Sequence, residues 1–279
     1  MGGLRWVWRG LLGCSLGACS LFDEGGDTHQ EAAARATAEG LIAFVDINNN
    51  LTTDAEAAGA AVQKFLATPV AARDLVSPPF DFSDGVTLET MRTVTDSALL
   101  PTELPACVTT MGPGGCDSFA AAECEVGSLT FGGTGSRTCP GCPDQPDVFG
   151  ACDYAWDMNV SIDAGLFRLD IRNTTGTETV SANEINANVR FKYDLITDDV
   201  TQRDQDIEVC ACGPLTTDEG PPRTLVAGEF LVRTLRGEST TGCSVITFSN
   251  NVPSGSECTG EAEGEDFTSC PNGACLRGQ

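Results

Sequence analysis

Cysteine placement constrains this chain more than any other feature. Cys107, Cys116, Cys124, Cys139, Cys142, Cys152, Cys210, Cys212, Cys243, Cys258, Cys270 and Cys275 all follow residue 100. Residues 20 to 106 contain none, and Cys14 and Cys19 lie in the opening segment. An even set of twelve, crowded into one part of an exported chain, reads as a disulfide framework of up to six bridges. Spacing alone does not give their connectivity. The chain should therefore have two unlike parts: a first part held by packing alone and a second part cross-linked.

The N-terminus gives the compartment that such a framework needs. Residues 1–19 read MGGLRWVWRGLLGCSLGAC, with Arg5 and Arg9 ahead of a short uncharged stretch from Gly10 to Ala18. This is the pattern of a secretory signal, and it is too short to span a bilayer. Leu16-Gly17-Ala18-Cys19 resembles the lipobox of bacterial lipoproteins: an aliphatic residue, two small residues, then Cys. The resemblance implies cleavage before Cys19, acylation of that residue and anchorage to a membrane. Ser20 after the Cys implies sorting to the outer membrane. Leu11-Leu12-Gly13-Cys14 is a second, weaker match, because it leaves only about four apolar residues after Arg9 where roughly 7–15 are usual. With Cys19 committed to lipid, the other twelve cysteines can all pair.

Charge narrows the partners. The net charge is −24, and loss of the leader's two Arg takes the mature chain to about −26. A field of that sign repels phosphate backbones, so no nucleic-acid partner is expected. Surplus acid also serves plain solubility.

The organisation follows as residues 1–18 signal, 19–27 lipidated tether, 28–100 helical segment and 101–279 Cys-rich β domain. Thr28-His29-Gln30-Glu31 and Thr53-Asp54-Ala55-Glu56 are capping boxes ahead of Ala-rich runs. Asn48-Asn49-Asn50 should break the first helix. The second should run from Ala57 to Leu66, with Pro69 and then Ser77-Pro78-Pro79 ending the pattern. A third helix is expected over Val86 to Leu100. Residues 101–153, rich in Pro and Gly, should be loops with one short helix around Ser118 to Cys124. From Tyr154 the apolar period becomes two. Tyr154, Trp156, Met158, Val160 and Ile162 should share a face, as should Phe167, Leu169 and Ile171. After an Asn/Thr/Gly loop, Ile185, Ala187, Val189, Phe191, Tyr193 and Leu195 should do the same. Further strands are expected near Gln205–Cys210, Leu225–Leu235 and Cys243–Phe248. The fold class is α+β: a small N-terminal helical segment, then a disulfide-rich antiparallel β domain built as a meander, a sandwich or a curved sheet.

Few motifs carry chemistry. His29 is the only histidine and begins a helix, which leaves nucleophile–histidine catalysis without a base near the β domain. Gly13-Cys14-Ser15-Leu16-Gly17 has the Gly-x-Ser-x-Gly form but sits in the leader. Cys139-Pro140-Gly141-Cys142 has redox Cys-x-x-Cys spacing without the helix that should follow. With Cys210 and Cys212 it also has the spacing of a zinc tetrathiolate, and disulfides are the stronger expectation for all four. Glycine-rich Gly112–Gly115 and Gly132–Gly135 lack phosphate-loop spacing and read as loops. Asp46, Asn48, Asn50 and Asp54 resemble the oxygen ligands of EF-hand and dockerin calcium loops, which makes calcium the one candidate ion. Leu51 stands where that loop uses Gly, and Ala57 where it uses a bidentate acid. The competing reading is a helix-to-helix connection capped by Thr53. No other cofactor is expected.

The function these features favour is non-catalytic: a membrane-anchored exported lipoprotein with a binding or envelope-scaffold role toward a soluble protein or glycan. Two alternatives are a lipid or small apolar ligand carrier, whose strands would line an unfilled pocket, and a carboxylate-based hydrolase, with acids beside an aromatic such as Trp156.

Overall fold

A computed structural model describes residues 29–50, 55–76, 107–112, 116–142, 151–163, 165, 167–181, 183–197, 201–218, 223–237 and 239–258. The signal, Cys19, Asp54, the third helix expected over Val86 to Leu100, Cys270 and Cys275 lie outside these residues.

Two helices come first, α1 (His29–Asn50) and α2 (Ala55–Val76). They run antiparallel: His29 meets Asp74, Lys64 reaches Glu39, and Gly40 sits against the Thr68 side chain. A Cβ at Gly40 would collide with Thr68, so the glycine sets how closely the helices approach. Both helices outrun their expected ends. Residues 48–50 continue α1, and α2 passes through Pro69. Interior proline costs a helix about 3 kcal/mol. Here every residue from Phe65 to Leu75 is buried, so tertiary packing on all sides outweighs the lost hydrogen bond.

Eleven strands follow: β1 (Val108–Met111), β2 (Ser118–Val126), β3 (Leu129–Thr138), β4 (Cys152–Asp163), β5 (Phe167–Val180), β6 (Glu184–Thr197), β7 (Thr201–Ala211), β8 (Leu215–Thr217), β9 (Leu225–Arg236), β10 (Ser239–Ser249) and β11 (Val252–Glu257). They form one antiparallel sheet in the order β1-β2-β3-β4-β5-β6-β7-β9-β10-β11, with β8 pairing β6 and β9. The class is α+β, as expected, and the sheet is a meander interrupted only at β8.

Three expectations are corrected. Ser118–Cys124 is strand, not helix. Gly132–Gly135 lies within β3, not a loop. The Thr/Gly run after Ile171 continues β5 to Val180. In each case small or polar residues hid a strand. Gly133 adopts φ 125°, where a side chain would strike the Asp157 carbonyl, and Gly135 leaves room for the Phe119 ring. Backbone clearance, not loop character, explains these glycines.

The sheet is curled. α1 touches β3, β6, β9 and β11, and β3 and β11 are seven steps apart in the strand order. In a flat sheet that separation is roughly 34 Å at about 4.8 Å per strand, which one helix of 22 residues could match only by lying end to end straight across the strands, at about 1.5 Å per residue. Twist and curl of the sheet bring its strands round the hairpin instead. One hydrophobic cluster joins Leu41, Ile42, Phe65 and Leu66 of the hairpin to Trp156, Met158, Ile171, Phe191, Val232 and Phe248 of the sheet. Phe65 and Phe191 lie 5.8 Å apart, ring centre to ring centre. Helices and sheet thus share one core.

Candidate functional site

Ten of the twelve cysteines fall among the described residues, and all ten are in disulfides. Cys107–Cys124 ties β1 to β2, Cys116–Cys142 joins the residues before β2 to those after β3, Cys139–Cys152 links β3 to β4, and Cys243–Cys258 links β10 to β11. Cys210 and Cys212 are each disulfide-bonded as well. Cys139 and Cys142 are therefore bonded to Cys152 and Cys116, not to each other, and no thiolate of that pair remains for zinc or dithiol redox chemistry. Residues 46–50 continue α1, and Asp54, the fourth residue of the candidate calcium set, lies outside the described residues. Among the described residues, no group of three or more His, Cys, Asp or Glu is placed to hold a metal. No described helix is long and apolar enough to cross a membrane.

The chemistry-bearing side chains divide between the two faces of the sheet. On the convex face they form rows in register. Arg190, Glu208 and Arg233 are partners across β6, β7 and β9. Arg233 Nε donates to Glu208 Oε2 at 2.6 Å, and Arg190 Nε donates to Asp206 Oδ1 at 2.9 Å. Arg172 bridges Asp194 and Asp204. One row along, Cys210, Leu231 and Val245 form a small second apolar cluster. Described arginines and acids on this face are thus largely engaged with each other. Arg137 belongs to the other face, in register with the buried Tyr154; it grips Asp117 with two hydrogen bonds of 2.7 Å, and although burial opposes the charge, this pairing raises the Arg137 pKa.

A groove of about 230 Å³ lies across β3, β4 and β5, lined by Ser136, Thr138, Asp153, Tyr154, Ala155, Thr177, Glu178 and Thr179. The register explains it. Ser136, Ala155 and Thr177 form one cross-strand row, and Thr138, Asp153 and Thr179 the next. Both rows alternate with the buried Tyr154 and Glu178, so they belong to the outer face. Small hydroxyl side chains keep the groove shallow and wettable, and Thr179 Oγ1 donates to Asp153 Oδ1 at 2.8 Å.

Inside, the polar groups sit between hairpin and sheet. His29 Nε2 lies 3.3 Å from Asp74 Oδ2, and Arg73 Nη2 donates to Asp74 Oδ1 at 3.4 Å. Burial pushes the Asp74 carboxyl up to about 6, against the pull of Arg73 and His29. Tyr193, beneath them on β6, has its hydroxyl pushed well above its ordinary value by burial, although Arg73 pulls the other way. The lone histidine is thus a clasp between the start of α1 and the end of α2. Farther along, Glu178 of β5 is 2% exposed, and neither carboxylate oxygen has a hydrogen-bond partner. Burial raises its pKa well above the usual range, and Asp46 of α1 raises it further. Asp46 is itself raised, mainly by burial, with Lys64 and Arg223 opposing.

Sequence reasoning missed Glu178, because Thr177-Glu178-Thr179 reads as wet loop. The signal lay in carrying the alternation past Ile171: the β5 register slips between Arg172 and Thr175, after which Thr174, Glu178 and Val180 are buried.

No family model matches the chain, and neither a curated protein nor a solved structure matches it.

Proposed function

We propose that the chain is an exported lipoprotein, anchored to the outer membrane through Cys19, whose curled sheet is a non-catalytic binding or scaffold module. One observation carries this reading: the inside of the sheet is occupied by the protein's own helical hairpin, so the convex face is left to meet a partner. The hydroxyl-lined groove on β3–β5 is the contact site the reading favours. Its chemistry suits a neutral, hydroxyl-rich ligand such as a glycan, or a basic peptide drawn by the acidic field. The bridged cysteines fit an oxidising compartment outside the cytoplasm. A carrier would want an unfilled apolar space where Phe65, Leu66 and Ala71 now pack. A glycosidase-type pair would want both acids facing one cleft, whereas the Glu178 oxygens are buried and Asp153 is exposed on the groove face.

Fractionation of expressing cells tests the anchor. Wild-type protein should sediment with outer membrane and carry acyl chains on Cys19, while Cys19→Ser should be released without lipid. Equal sedimentation of the two, or an unacylated mature N-terminus, sinks the anchor. For the groove, the purified protein is probed on an array of oligosaccharides and basic peptides beside Ala155→Trp, which fills the groove. Retention by wild type and loss in the variant is expected; identical profiles count against that site.

A further inference from the structure

Glu178 presents a problem that the rest of the fold does not solve. Its side chain lies on the inner face of the sheet, with both oxygens buried and without hydrogen-bond partners. Its register neighbours are Tyr154 on β4 and Ala187 on β6. The charged group facing it from α1 is Asp46, an acid; Lys64 of α2 and Arg223 ahead of β9 act on Asp46. No cation faces Glu178 from any described element. A carboxylate left in such a site costs several kcal/mol, so the group stays there only as the neutral acid. Ionising it requires water at the buried oxygens, and moving the hairpin away from the sheet admits it.

The hairpin can move in this way. Residues 20–106 contain no cysteine, so no disulfide ties the helices to the strands. The His29–Asp74 clasp joins the two helices to each other. Among the described residues, every disulfide-bonded cysteine lies in the sheet or its connections.

We propose that Glu178 is a protonation latch: as the neutral acid it lets the α1–α2 hairpin seat on the sheet, and its ionisation favours release of the hairpin as a unit, baring the apolar concave face. The device works in one direction. Acid conditions seat the hairpin and alkaline conditions loosen it, while the disulfide-tied strands stay paired.

Two readouts on the full mature chain test this. The first is infrared detection of the protonated carboxyl stretch at pH 7.5, where ordinary carboxylates and Asp74 are ionised. Wild type should retain one such band, absent from Glu178→Gln. The second is hydrogen exchange corrected for its intrinsic pH dependence. Helix amides should lose at least about tenfold protection between pH 5.5 and 8.5, the factor that corresponds to one pKa unit, while β5 and β6 amides hold. Glu178→Gln should abolish most of that change. If this variant does not fold, the wild-type band must still vanish in step with hairpin protection as pH rises. A band absent at pH 7.5, equal pH dependence in Glu178→Gln, or sheet and hairpin loosening together overturns the latch.

Discussion

The hairpin and the strands at the two ends of the sheet solve the same problem by different means. At one end of the sheet order, β1 to β4 are held by three bridges; at the other, β10 and β11 by one. These strands are short, rich in small residues, or at an edge. β1 has four residues and β11 six, and each leaves a large apolar side chain exposed, Met111 and Val252. They bury too little to hold themselves, and the cross-links make up the difference by restricting the unfolded chain. The hairpin has no cross-link. Ala, Leu and Phe side chains are buried along nearly its whole length, and from Phe65 to Leu75 on every side. Covalent reinforcement thus lies on the strands, at both ends of the sheet and also at the buried Cys210 and Cys212, and is missing from the hairpin, where burial is complete. The cost is that buried polar groups, Glu178 and Asp74, sit at the uncross-linked interface.

The sharpest way to break this contrast is to remove packing from the hairpin. Phe65→Ala deletes a ring that is 1% exposed and tilted at 56° against Phe191. It should cost about 3–5 kcal/mol by denaturant titration, with the helices losing exchange protection first. A loss under about 1 kcal/mol would mean the hairpin is not part of the core.

Next comes the bridge. Cys139→Ala with Cys152→Ala opens a loop with a sequence separation of 13 and should cost about 3 kcal/mol. Protection should fall in β3 and β4 and hold in the helices. Equal loss in both regions would contradict the division drawn here.

Asp74 sharpens the comparison through pH. The folded carboxyl is pushed up to about 6 from the ordinary 3.8, so the native state holds this proton more tightly than the unfolded chain. Its contribution is most favourable below about pH 4 and is lost as pH rises through about 6. Asp74→Asn should therefore match wild type near pH 4 and gain on it by up to about 3 kcal/mol above pH 7, read by thermal melts across that range. A constant difference at every pH would remove Asp74 as the source.

The smallest effect is expected on the convex face. Arg168 is 55% exposed and pairs with Asp170 at 2.9 Å. Arg168→Ala should change stability by less than about 1 kcal/mol, and less still at high salt.

How much of this was legible depended on whether one face of an element stays wet. Tyr154 to Ile162 and Ile185 to Leu195 alternate cleanly, and those inward residues were read correctly because Asp157, Asn159, Asn186 and Lys192 remain exposed. β7 lacks that alternation, because Asp206 to Cys212 are buried on both faces; its strand near Gln205–Cys210 was legible, its faces were not. β2 and β3 escaped because Ala and Gly carry little pattern. The helix ends were misplaced at Asn48 and Pro69, where tertiary burial overrides local propensity. Of the candidate site, the disulfide set could be read from cysteine parity and the clasp partner His29 could at least be singled out. Glu178 could not, since a bulge shifts its register and its neighbours are threonines.

An uncross-linked hairpin fills the curled sheet, and an engineered bridge between the two would report its position. A Cβ built on Gly242 of β10 would lie 3.6 Å from the Val76 Cβ at the end of α2, within the roughly 3.5–4.5 Å that a disulfide spans. Val76→Cys with Gly242→Cys, oxidised under native conditions and digested for mass mapping, should give one new bridge between these two residues, with the native bridges unchanged. Two alkylatable thiols under native conditions, or pairing of either with other cysteines, would place the hairpin somewhere other than inside the sheet.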